Sequence, residues 1–203
     1  MCVPSQIMVK NDAAATMEKL LHHEFLFRSG TVSQLLSSVV FLFLAMTFYR
    51  IFKSTHKYLA QLIVVFVLVQ IPVIFLGEAF NIAALMIAKG EFMPSLSIAE
   101  RQEMVYLFLR TYKVGIIILM IFWGLWLIPL GQLVIKSSYL PKIIGVFLIL
   151  GGAASMIEVL DYLLLSEQLS FITDYTFIFY SSAELSTTAW LLIKGIKTHS
   201  DVS

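Results

Sequence analysis

Long apolar runs dominate this chain, and runs of that length leave few folds open. An α-helix rises about 1.5 Å per residue, so roughly 20 residues cross the hydrocarbon core of a bilayer. Five stretches reach or approach that length: residues 31–49, 58–88, 104–135, 143–165 and 175–193. They are too long and too uniformly apolar for the strands of a membrane barrel. Composition agrees: 59% of the 203 residues are hydrophobic and 13% charged, about half the charged share of an ordinary soluble domain. The expected fold is all-α, a polytopic transmembrane helix bundle of about five spans, with membrane lipid as its solvent.

The short loops carry an alternating charge pattern. Arg50, Lys53 and Lys57 fill the first loop, Lys136 and Lys142 flank the third, and Lys194 and Lys197 follow the last run. The second loop is mixed, with Lys89 and Arg101 against Glu91, Glu100 and Glu103, and the fourth holds Glu167 and Asp174 without a base. Basic loops stay in the cytoplasm, so this order places the N-terminus outside and the C-terminus inside a cell membrane. The expected division is an extracytoplasmic amphipathic segment over 1–30, the bundle over 31–195 and a cytoplasmic tail over 196–203. Residues 1–30 lack the apolar core and small-residue cleavage site of a signal peptide. Asn11 or Asp12 reads as a helix N-cap. Met17, Leu20, Leu21, Phe25 and Phe27 then suggest an amphipathic helix on the outer membrane surface.

Charged side chains at membrane depth cost about 2.5–3.5 kcal/mol on insertion scales, so each requires a reason. Glu78, Glu158, Asp161 and Glu184 are the acids concerned. With Asn81 one turn from Glu78 and Thr188 one turn from Glu184, they suggest a polar cup open to the outside. Glu78, Asn81, Glu158, Glu184 and Thr188 are its candidate ligand-binding residues, for a small polar molecule, a lipid headgroup or protons. The competing reading pairs the acids with Arg110 and Lys113, and Asp161 leans toward such an ion pair. Glu184 leans toward binding, being deepest and without a basic neighbour at its level. Gly115, Gly124 and Gly131 permit close helix packing, and Pro72 and Pro129 are expected kinks. Trp123 and Trp126 lie within a span, where packing is the default role. Gln70 and Gln132 would cap polar contacts between helices.

Gly124-Leu-Trp-Leu-Ile-Pro-Leu-Gly131, Lys136-Ser-Ser-Tyr-Leu-Pro-Lys142 and Ile144-Gly-Val-Phe-Leu-Ile-Leu-Gly-Gly152 form a fairly specific block. With Asn11–Thr16, Leu26-Phe-Arg-Ser-Gly30 and Glu184–Gly195, the chain resembles the domain of unknown function 4386 family of prokaryotic integral membrane proteins. The resemblance covers nearly the whole chain. It implies a prokaryotic plasma membrane and a further helix ahead of the segment matching Asp12–Thr16. It implies no activity.

Enzyme chemistry finds little footing. All four histidines lie outside the apolar runs, and His22-His23-Glu24 lacks the i, i+4 spacing that puts two metal ligands on one helical face. Ser155 stands three residues from Glu158 with no His or Lys nearby to activate it. A single cysteine, Cys2, excludes an internal disulfide framework. No metal or cofactor is expected, and a net charge of +1 gives no electrostatic reason to propose a nucleic-acid partner. Two readings remain. One is a protein that binds or transports a small molecule or lipid. The other is a structural or regulatory membrane subunit that works through a homo-oligomer or a membrane protein partner. The lack of an internal repeat argues against a complete transporter.

Overall fold

The computed structural model describes residues 7–137, 139–165, 181, 184–193 and 195. Among them every regular element is helical: α1 (Ala13–His22), α2 (Glu24–Ala88), α3 (Ile98–Ser137), α4 (Lys142–Leu164) and α5, residues 184–193. Three of these, α2, α3 and α4, are long and apolar enough to cross a membrane. Only 28–39% of their most apolar windows is buried inside the protein, so most of that surface faces outward. Leu36, Val40 and Phe43 show the pattern. They stand at i, i+4 and i+7 on one face of α2 and are each over 60% exposed.

The 65 residues of α2 would span about 97 Å if straight. Yet Lys89 Nζ, just past its end, lies 3.2 Å from Oε1 of Glu24, its first residue. The helix must therefore fold back, and His56 is where it does so, with extended dihedrals (φ −161°, ψ 97°) inside an otherwise helical element. The His56 ring caps the second arm of α2: its Nδ1 accepts from Leu59 N at 3.4 Å, three residues on. This is the N-cap relation more often made by Asp or Ser. Expected spans 31–49 and 58–88 fall on either side of this reversal. The third and fourth fall within α3 and along α4. Of the fifth only residue 181 and α5 are described; Glu167, Asp174, Lys194, Lys197 and the 196–203 tail lie outside the described residues.

The structure divides into two compact units, one of Met1–Val40 with Ile71–Ile117 and the other of Phe41–Gln70 with Ile118–Ser203. In the first, Asp12 caps α1, its carboxylate accepting from Ala15 N at 2.8 Å. Thr16 is buried and closes the same turn, its hydroxyl donating to Asp12 O at 2.6 Å and accepting from Val9 N at 3.0 Å. Leu20 and Phe27 are packed into a core with Leu85, Val105 and Leu109, and Met17 lies against it. The N-terminal segment thus seals its best apolar side against protein, leaving Leu21 and Phe25 exposed. Burying two large side chains in a close-packed core also gains dispersion contacts that a fluid interface does not hold in place.

α3 begins earlier than the run at 104. Ser97 and Glu100 form a capping box: Glu100 Oε2 accepts from Ser97 N (2.8 Å) and Ser97 Oγ (2.7 Å), and Ser97 Oγ accepts from Glu100 N (3.3 Å). These bonds hold the Glu100 carboxyl below its ordinary range.

In the second unit, α3 and α4 approach backbone to backbone. A Cβ on Gly124 would stand 2.5 Å from the carbonyl oxygen of Gly152, and one on Gly131 would stand 2.5 Å from that of Gly145. The reverse contacts are equally short. As the numbering rises along α3 it falls along α4, so the helices are antiparallel, with one glycine pair every seven residues. Only glycine admits this separation.

Candidate ligand site

Three helices of the second unit turn stripes of one spacing toward a common space. Phe41, Leu44 and Phe48 on α2 stand at i, i+3 and i+7, and so do Trp123, Trp126 and Leu130 on α3. Glu184, Thr187, Thr188 and Leu191 provide the matching face of α5, and Leu148 of α4 closes one side. They line a half-open cavity of ≈ 410 Å³, within the range that holds small-molecule ligands. Aromatic rings from α2 and α3 face α5 across this space. Phe41 stacks on Trp123 at 5.8 Å between centroids and meets Trp126 edge-on at 5.1 Å, which fixes the rings along the wall.

The polar groups of the cavity are few and placed. Trp123 Nε1 donates to Glu184 Oε1 at 2.7 Å, a short distance for an N–H donor. Trp126 is 4% exposed, and its Nε1 has no hydrogen-bond partner among the described residues. A buried indole N–H usually finds an acceptor, because leaving it without one costs about 1–3 kcal/mol. The polar lining of the cavity is therefore Glu184, Thr187 and Thr188, while the Trp126 Nε1 is buried away from it. Such a surface can hold a mainly apolar molecule by a single polar end.

The other candidate residues are distributed between the units. Glu78 and Asn81 come together in the first unit, with Tyr112 as a third member. Tyr112 Oη donates to Glu78 Oε1 at 3.1 Å, and Asn81 Nδ2 donates to Oε2 at 3.0 Å. Glu184 and Thr188 belong to the second unit, as do Glu158 and Asp161. Those two stand one turn apart on α4, Asp161 buried and Glu158 partly so, and each is engaged in an interaction of its own. Arg110 and Lys113 belong to the first unit. There the Arg110 guanidinium sits 5.8 Å from the centre of the Tyr106 ring, and Lys113 is exposed. Glu24, next to His22 and His23, accepts from Arg28 at 2.8 Å and from Lys89, and both hold its carboxyl below the ordinary range. Gln70 does bridge helices, donating to Phe66 O at 3.0 Å and Phe122 O at 3.5 Å.

Three participants are not legible in the sequence. Trp123 and Trp126 there count as packing residues, and nothing local signals that one indole would meet an acid 61 residues away. Tyr112 carries no periodic signal at all. For the tryptophans, their i, i+3 spacing with Leu130 at i+7, matched by Phe41, Leu44 and Phe48, is the one available hint.

No curated protein and no solved structure matches the chain. A family model does, over residues 1–195, described as a domain of unknown function (DUF4386). By that match, which spans nearly its whole length, this chain belongs to the DUF4386 family.

Proposed function

We propose that the chain is a five-span membrane protein, N-terminus outside and C-terminus in the cytoplasm, that binds a small amphiphile in the Trp123–Trp126–Glu184 cavity. The topology draws on the two arms of α2, on α3, α4 and α5, and on the sorting of Lys and Arg between loops. With it, the cavity runs from Glu184 toward the cytoplasmic ends of its helices. A fusion after Ser203 tests this, since green fluorescent protein there should fluoresce and alkaline phosphatase there should be inactive.

The observation that carries the binding reading is the mainly apolar cavity of ≈ 410 Å³ itself, with the Glu184 carboxyl set in its lining by Trp123. The ligand class is set by that wall. A single short alkyl or isoprenoid chain fits the aromatic stripe, and a hydroxyl, carbonyl or amine at one end meets Glu184 or the threonines. Two of the three tryptophans line the cavity, so intrinsic fluorescence reports its occupancy. Titrating the purified protein with single-chain alcohols, acids and amines should give a saturable change with one class. Leu130→Trp, which fills the space, should abolish it. A flat response across the whole panel refutes the reading. The subunit alternative is favoured by the α3–α4 glycine contacts, which suit a fixed scaffold, and that flat response would leave it standing.

A further inference from the structure

Glu78 lies outside the cavity and presents a separate problem. It is 3% exposed, Asn81 0% and Tyr112 4%. Among the described residues its hydrogen-bond partners are Tyr112 and Asn81, both neutral. The ring of Tyr112 lies over Gly77, where a Cβ would come within 3.1 Å of Cδ2, so the missing side chain at 77 seats the phenol on Oε1. Asn81 faces Oε2 with its Nδ2. Turning the amide over would set oxygen against carboxylate, so this orientation is dictated by charge. It leaves Asn81 Oδ1 buried and without a partner among the described residues.

What remains unmet here is all acceptor: the amide oxygen and the spare lone pairs of the carboxylate. A carboxylate in such surroundings is costly unless a charge compensates it. An anion would be repelled, and a divalent ion would leave the excess charge reversed. The geometry points to a binding site for a small monovalent cation, held by the Glu78 carboxylate and Asn81 Oδ1. Oxygen is the ligand atom hard cations select. Tyr112 and Gly77 position the carboxylate and do not touch the ion. The site is independent of the amphiphile cavity.

The test uses the whole wild-type protein in detergent at constant chloride, in sodium, lithium, potassium, ammonium or choline. At least one of the first four should raise the melting temperature by several degrees over choline, saturably. The same cation should slow carbodiimide labelling of Glu78, read on its peptide by mass spectrometry, by severalfold, and leave Glu184 unaffected. Asn81→Leu should diminish both effects. Which cation acts distinguishes an alkali ion from ammonium. Melting curves that match choline for every cation overturn the site. So does protection that appears on Glu184 instead, or that persists undiminished in Asn81→Leu. The labelling needs no variant, so it decides the matter even where Asn81→Leu does not fold.

Discussion

Gly131→Ala and Gly115→Ala make the same chemical change in the same helix and should have opposite consequences. Around Gly115 nothing lies within 4 Å of an added Cβ. Alanine there gains helical propensity of up to about 1 kcal/mol and meets no obstacle. At Gly131 the added Cβ stands 2.5 Å from Gly145 O and 2.7 Å from Ile149 Cγ1. Ordinary contact begins at 3.4 Å, so α3 and α4 must part by about 0.9 Å. Backbone cannot rotate away as a side chain can. Overpacking of this kind costs about 1–3 kcal/mol, and the propensity gain is common to both variants. Their difference therefore isolates the clash, and for a chain of this size it corresponds to roughly 2–12 °C in melting temperature. The assay is thermal unfolding of both proteins in one detergent. Gly145→Ala should cost as much as Gly131→Ala, and the double variant less than the sum, because the first methyl already opens the shared contact. Coincident melting of the Gly115 and Gly131 variants, or strict additivity of the pair, refutes the close antiparallel packing.

Three further perturbations probe other parts of the molecule. Leu20→Ala should destabilise by about 2–5 kcal/mol in the same melting assay, since Leu20 is fully buried in the first unit's core; a membrane-surface helix would lose far less. Gln70→Leu should stay within about 1 kcal/mol of neutral, because removing a buried Oε1 that has no partner among the described residues offsets the loss of the Nε2 bonds to Phe66 O and Phe122 O. Glu24 and Glu100 hold their carboxyls below the ordinary value of 4.5, Glu24 chiefly through Arg28 and then Lys89, Glu100 through Ser97. Depressed acids contribute their stabilisation in full above that value and lose it as the pH falls through their own lower values. Acid-induced melting should accordingly flatten in a Glu24→Gln, Glu100→Gln double variant, and Ser97→Ala should cost about 1 kcal/mol at neutral pH.

Helix existence was legible in the sequence wherever one local signal sufficed. Asp12 reads as a cap from its neighbours alone, and the runs at 104–135 and 143–165 sit inside or along α3 and α4. Ser97-Ile-Ala-Glu100 was an available start signal for α3, standing upstream of the apolar run that drew attention. Gly124 and Gly131 read correctly as packing residues, though their partners did not, and Gly115 has nothing within 4 Å of an added Cβ to pack against. Glu78 with Asn81 was legible because they share a turn. Trp123 with Glu184 was not, because 61 residues separate them.

What the sequence determined by itself is that these helices are long, apolar and interrupted between residues 49 and 58, since apolar length and local hydrogen bonding depend only on near neighbours. What the tertiary structure decided is which faces meet. It paired Gly131 with Gly145, buried Leu20 and exposed Phe25, and gave Glu78 and Glu184 different companions. Successive residues on a helix are turned about 100° apart, so a face is chosen by how each helix rotates against the others, and that rotation is written in no single stretch of chain.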